Sequence, residues 1–144
     1  MPVRFFYEKD FEIKNPRKTA AWIKETLKRE KRTAGEISYI VCTDSYLLSL
    51  NQQFLKHDTL TDIISFDYAD GKIVSGEIYI SLDRVEENQS KFNSGFQNEL
   101  LRVMVHGVLH FCGYRDKKPG DKVVMRKKEE AYLSLWKRMF HVKQ

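Results

Sequence analysis

The stretch from about Ser94 up to Gly113 constrains this chain more than any other. Phe96, Leu100, Val103, Val108 and Leu109 fall at helical spacing, and the segment is apolar round much of its girth. A helix of that kind is buried on most sides, so the other elements must enclose it. Gly113 then offers a natural end, because glycine enters the left-handed conformation without steric cost. A chain of 144 residues that is 42% hydrophobic can build the enclosing core as one domain, 1–144.

The flanking sequence supplies both kinds of partner. Val3 to Tyr7 reads as a first strand. Asn15 followed by Pro16 starts a helix that buries Ala20, Ile23 and Leu27 and ends near Thr33, Ala34 and Gly35. Ile37 to Thr43 is β-branched and aromatic, as a central strand should be. Asp44 or Ser45 caps a helix carrying Leu47, Leu50 and Phe54. Ile63 to Phe66 and Ile78 to Ile80 are short strands, paired as a hairpin or as neighbours around the Asp70-Gly71 turn. A last helix runs from about Asp121 to Met139, with Met125, Tyr132 and Met139 on its core stripe. The order β-α-β-α-β-β-α-α predicts an α+β fold: a small mixed sheet covered by helices, with the buried helix carrying two histidines.

Charge narrows the function classes without choosing one. The 25 Lys and Arg exceed the 20 Asp and Glu, but unevenly. Residues 1–36 hold ten basic and six acidic side chains, residues 37–116 six and eleven, and residues 117–144 nine and three. An acidic middle with basic ends permits a nucleic-acid partner, and Lys127 and Lys128 on the last helix are candidate contacts. Cys42 and Cys112 are too few for a disulfide framework or a four-thiolate zinc site, which fits free thiols in the cytoplasm. No segment has the composition of a signal peptide or of a membrane span, so no membrane partner is expected.

The chemistry lies in His106-Gly107-Val108-Leu109-His110-Phe111-Cys112-Gly113-Tyr114-Arg115-Asp116. Histidines at i and i+4 share a helical face and reach a single ion. Gly113 lets the chain turn back so that Asp116 closes on the same ion. Two imidazoles and a carboxylate leave a fourth position open, as catalytic zinc sites do. A zinc ion there lowers the pKa of bound water and polarises the bond under attack. A satisfied core pair is the competing reading of the histidines. Burial of two unpartnered imidazoles among Val103, Val105, Leu109 and Phe111 would cost several kcal/mol, which favours the metal. The spacing matches the zinc protease motif except that Gly107 stands where those enzymes carry their general base, so peptide hydrolysis lacks its proton acceptor.

These residues resemble the YbeY endoribonucleases, or rRNA maturation factors. Their signature H-G-x-L-H-L-x-G-Y-D-H is met by His106, Gly107, Leu109, His110, Gly113 and Tyr114. An upstream block, L-N-x-x-Y-R-x-x-D-x-P-T-[ND]-V-L-S-F, is echoed by Leu50, Asn51, Phe54, Asp58 and Thr61 through Phe66. A third, G-[DE]-I-x-I, appears as Gly76, Glu77, Ile78 and Ile80. The resemblance implies a zinc-dependent hydrolase of single-stranded RNA, working in 16S rRNA 3′-end maturation and ribosome quality control, with the small ribosomal subunit as partner. Two positions depart from the pattern. The common third histidine is Asp116 here, which keeps a zinc-competent ligand and admits another transition metal. The upstream arginine is Leu55.

The expected site therefore comprises His106, His110 and Asp116 as ligands of one zinc ion, and His106, Arg115 and Glu77 as catalytic residues. Asp62 is a second candidate for proton transfer, and Tyr114 could stack a base or cover the site. Lys56, His57, Ser65 and Arg115 are candidate RNA contacts, Arg115 because its planar guanidinium suits phosphate. His141 is expected on the surface. Two rival functions remain open: a ribosome-binding factor with a structural zinc, and a zinc metallohydrolase of another substrate class.

Overall fold

The computed structural model describes residues 3–7, 11–55 and 62–140. Its sheet has four strands: β1 (Val3–Tyr7), β2 (Thr33–Cys42), β3 (Ile63–Asp67) and β4 (Ile73–Ser81). They lie in the order β1-β2-β4-β3. β1 and β4 run parallel to β2, while β3 pairs antiparallel with β4, so the sheet is mixed as expected. Among the described residues five helices accompany it: α1 (Pro16–Arg29), α2 (Asp44–Leu50), α3 (Leu82–Phe92), α4 (Phe96–Phe111) and α5 (Pro119–Phe140). A turn of π-helix, Asn51–Leu55, continues α2.

Alternation along the strands decides which face packs against α1, α4 and α5, while α2 packs Leu47 against Ile64 on the other. Ile37, Tyr39 and Val41 of β2 and Val74, Ile78 and Ile80 of β4 are fully buried. Buried polar groups then fix the helices in place. The Tyr39 hydroxyl donates to the Met104 carbonyl of α4 at 2.9 Å, and the Trp22 indole of α1 donates to the Tyr132 carbonyl of α5 at 2.7 Å. α4 presses close to β4 at two glycines. A Cβ at Gly107 would come within 2.7 Å of Ile78 Cδ1, and one at Gly76 within 2.6 Å of the Phe111 ring.

Gly107→Ala should therefore destabilise the protein by about 1–2 kcal/mol, overpacking against Ile78 outweighing the gain in helix propensity. Urea denaturation measures this, and a stabilised variant would contradict the close approach.

Four expectations change. α1 stops at Arg29, and Thr33 to Gly35 open β2 instead, because Lys31 takes a positive φ of 60° and turns the chain into β-branched sequence. Thr43, not Asp44 or Ser45, caps α2, its hydroxyl accepting from the Tyr46 amide; Asp44 is committed to Arg84 and Ser81. Asn15 does precede α1, but with a left-handed backbone and no side-chain cap. The fourth is α3, absent from the expected order. It buries Val85, and Leu82 and Phe92 are its other apolar residues, one at each end, so it carries little apolar periodicity; Ser81 and Asn93 at its ends were its clearest local signals. Among the described residues no helix is long and apolar enough to cross a membrane.

Candidate metal centre

His106 and His110 project from one flank of α4, about a quarter exposed. Their rings meet edge to face at 4.5 Å between centroids, with the two Nε2 atoms 2.9 Å apart. Asp116 Oδ2 lies 3.2 Å from His106 Nε2 and 3.4 Å from His110 Nε2. The three sequence-expected ligands thus converge, their donor atoms all within 4.8 Å of one another.

The turn that returns Asp116 is a Schellman motif. Gly113, at φ 101°, donates to the His110 carbonyl and Tyr114 to the Leu109 carbonyl, each about 3 Å long. The Tyr114 carbonyl then accepts from His110 Nδ1 at 2.9 Å. One turn therefore ends the helix, orients the second imidazole and delivers the third candidate ligand.

His106 is oriented from α5. Its Nδ1 lies 2.6 Å from the buried Glu129 carboxylate. Arg102 bonds the other Glu129 oxygen at 3.1 Å and also pairs with Glu130 and Glu99. Burial would raise the Glu129 pKa, but the bonds and charges of His106 and Arg102 hold it below the usual carboxylate value. Burial likewise opposes charge on His106, and Glu129, Asp62 and Asp116 together outweigh it, raising that pKa.

These partners test whether the residues suit a metal. A carbonyl only accepts, so His110 Nδ1 carries a proton; the ionised Glu129 assigns the same tautomer to His106. Both Nε2 atoms can then present lone pairs to one centre beside a carboxylate oxygen, an arrangement that a bound cation would satisfy. Two neutral imidazoles with partnered Nδ1–H groups and one carboxylate form a donor set suited to zinc and similar transition metals. The residues fit.

Clefts surround the centre. One of about 260 Å³ is lined by His106, Asp116, Lys122, Met125, Arg126 and Glu129. Another of about 200 Å³ is lined by His110, Arg115, Asp116 and Lys117. A third of about 200 Å³ holds Asp62 and Glu99 beside His106 and Glu129. Burial raises the Asp62 pKa, with the Glu129 charge adding to it against the opposing His106 charge.

Comparison with known proteins bears on what this centre belongs to. The model of the family "Endoribonuclease YbeY" matches residues 6–137. The chain belongs to that family. A Flavobacterium psychrophilum protein of that name is 51% identical over 142 residues, 99% of each chain, and a Flavobacterium johnsoniae one is 46% identical over the same span. A solution structure from Thermotoga maritima superposes with a TM-score of 0.66 at 29% identity, covering 96% of this chain and 91% of the other.

The family's blocks do not all gather at the metal centre. Arg115 stands beside it. Glu77 does not: its neighbour Ile78 faces Gly107, so Glu77 points to the opposite side of the sheet, where the Tyr68 and Tyr79 hydroxyls approach it at 3.4 and 3.5 Å. Ser65 pairs in register with Ile78 and lies on the helix-covered face. Lys56, His57, Asp58, Thr61 and His141 lie outside the described residues, as does the side chain of Leu55. Tyr114 is engaged on the side of Glu30: its hydroxyl donates to that carboxylate at 2.7 Å and the Lys128 ammonium sits 5.4 Å from its ring centroid. Lys128 is bound to Glu30 at 3.1 Å.

Sequence reasoning missed Glu129, Arg102, Lys122 and Arg126. Glu129 left one signal: it stands four residues after Met125 and three before Tyr132, a carboxylate on an otherwise apolar stripe.

Glu30 also escaped it. Its carboxylate receives Tyr114, Tyr132 and Lys128, which outweigh burial and lower its pKa from 4.5. A depressed carboxylate stabilises above its unfolded pKa and loses that contribution as pH falls through its folded value. Glu30→Gln should thus cost about 2 kcal/mol at pH 7, and the gap to the parent should close below pH 4.5. Denaturation at a series of pH values checks it; a gap that widens in acid would contradict the assignment.

Proposed function

We propose that this chain is a metal-dependent endoribonuclease for single-stranded RNA, with His106, His110 and Asp116 holding one zinc ion. Its proposed task is 16S rRNA 3′-end maturation and ribosome quality control at the small subunit in the cytoplasm, the whole of 1–144 serving as one domain. The name shared by the relatives supports RNA cleavage, and the family resemblance supports the rRNA task. One observation carries the metal reading: three lone-pair donors converge on a point, two of them with their tautomers fixed from behind.

A divalent metal supplies Lewis acidity there, lowering the pKa of water and drawing charge from a phosphoryl oxygen. The chain's own residues do the rest. Glu129 and the Tyr114 carbonyl hold the imidazoles in the binding tautomer. Arg115 offers a planar donor pair to phosphate oxygens in the cleft beside Asp116. Asp62, its pKa raised, can hold a proton at its carboxyl in the cleft beside His106 and exchange it with a substrate oxygen.

The rival readings fit the geometry less well. A structural zinc is closed by four protein ligands, whereas this group offers three among the described residues and Asp116 is 41% exposed. A protease would need its general base at position 107, which backs onto Ile78.

The purified chain should cut labelled single-stranded RNA, lose that activity to a chelator, and regain it with about one equivalent of zinc. Precursor small-subunit RNA should be cut at its 3′ end. Cleavage that survives chelation would overturn the reading.

A further inference from the structure

Most of the chain's inward-lying cations are neutralised locally. Arg102 faces three carboxylates, Lys128 is held by Glu30, and Arg84 by Asp44 and Glu87. The rim of the metal centre differs. Arg115, Lys117 and Lys122 form no ion pair among the described residues, and Arg126 only approaches Glu129 at 3.8 Å, an oxygen already bonded to Arg102.

These four cations are sorted into two pairs. Arg115 and Lys117 line the cleft on the His110 side, Lys122 and Arg126 the cleft on the His106 side, and Asp116 borders both. The adjoining cleft holds Asp62, Glu99 and Glu129, and its Arg102 is committed to the two glutamates, so among the described residues it offers a phosphodiester no free cation beyond Arg126. Approach of a polyanion to this centre therefore depends on the rim. We propose that a single RNA strand crosses the metal centre with its phosphates held on both flanks, by Arg115 and Lys117 on one side and by Lys122 and Arg126 on the other. This rests on the nuclease reading and adds Lys117, Lys122 and Arg126 as substrate-binding residues. It also moves the expected RNA contact of α5 from Lys127 and Lys128 towards the helix's first turns.

The test is binding of a fluorescent single-stranded 2′-O-methyl oligonucleotide to metal-loaded protein, followed by anisotropy over a salt series. Each single-strand phosphate contact contributes about 0.7 to the slope of log affinity against log salt. Lys117→Ala, Lys122→Ala and Arg126→Ala should each reduce the slope by about 0.7. Arg17→Ala is the control. Arg17 is exposed next to Lys18, whose ammonium lies 5.5 Å from the Phe140 ring at the opposite end of α5, and its slope should be unchanged. An equal fall in all four variants would mean net charge alone acts, and unchanged slopes would mean the strand lies elsewhere; either overturns the proposal. Cleavage of unmodified RNA by the parent chain is scored separately. Active protein with unchanged slopes refutes the strand path alone, whereas the expected slopes without metal-dependent cleavage refute the nuclease reading and leave the path standing.

Discussion

Replacing His106 by alanine is expected to abolish metal retention and cut RNA cleavage by about 10³-fold or more, because metal stabilisation of transition-state charge amounts to several kcal/mol. The remaining donors, His110 and Asp116, cannot compensate, since two ligands hold a transition metal far less firmly than three. The fold should persist. Glu129 keeps its bond to Arg102 when the imidazole is removed, so its charge is not left alone. His110→Ala provides an independent variant, because it leaves Glu129 untouched and frees only the Tyr114 carbonyl. Metal analysis after dialysis, circular dichroism and the cleavage assay read the three consequences. A folded variant that retains one equivalent of metal and full activity would remove this site from consideration.

Glu129→Ala should produce the next largest effect, on both stability and metal affinity. The substitution leaves the His106 Nδ1–H without its acceptor and deprives Arg102, 13% exposed, of its most buried partner. Removing one member of a buried ion pair costs about 3–5 kcal/mol, although Glu99 and Glu130 around Arg102 place this case at the low end. Loss of a carboxylate behind a ligating imidazole lowers metal affinity by about 10–100-fold. Glu129→Gln separates the two effects. Its amide oxygen can still accept from His106, so packing survives while the charge is lost, and metal affinity should fall towards the smaller figure with a smaller change in denaturation midpoint. Competition with a metal-binding dye and urea titration provide the readings. Unchanged metal affinity in both variants would show that Glu129 serves packing alone.

The elements read correctly from the sequence share a property: their signal is local and redundant. β1 carries alternating apolar residues, and α4 is apolar on most sides. α3 had neither, with Val85 its one fully buried apolar side chain among the described residues, so its place was set by two cap residues and by docking on α4. The candidate site divides the same way. His106, His110 and Asp116 were legible because helical geometry and a glycine turn fix their relative positions within eleven residues of chain. Glu77 lies in a recognisable block, yet strand alternation turns it away from the candidate metal centre, and the sequence does not say which face α4 covers.

What the chain determines on its own is the candidate ligand set, because the distances among those three residues depend on local backbone geometry. What only the tertiary structure decides is everything α5 brings to it. Glu129 orients a histidine twenty-three residues away, and Lys122 and Arg126 line the same cleft, because α5 packs along α4. That packing depends on apolar contacts, and the bond from Trp22 to Tyr132 holds α5 to α1 as well; both join residues far apart in sequence and leave no spacing to read.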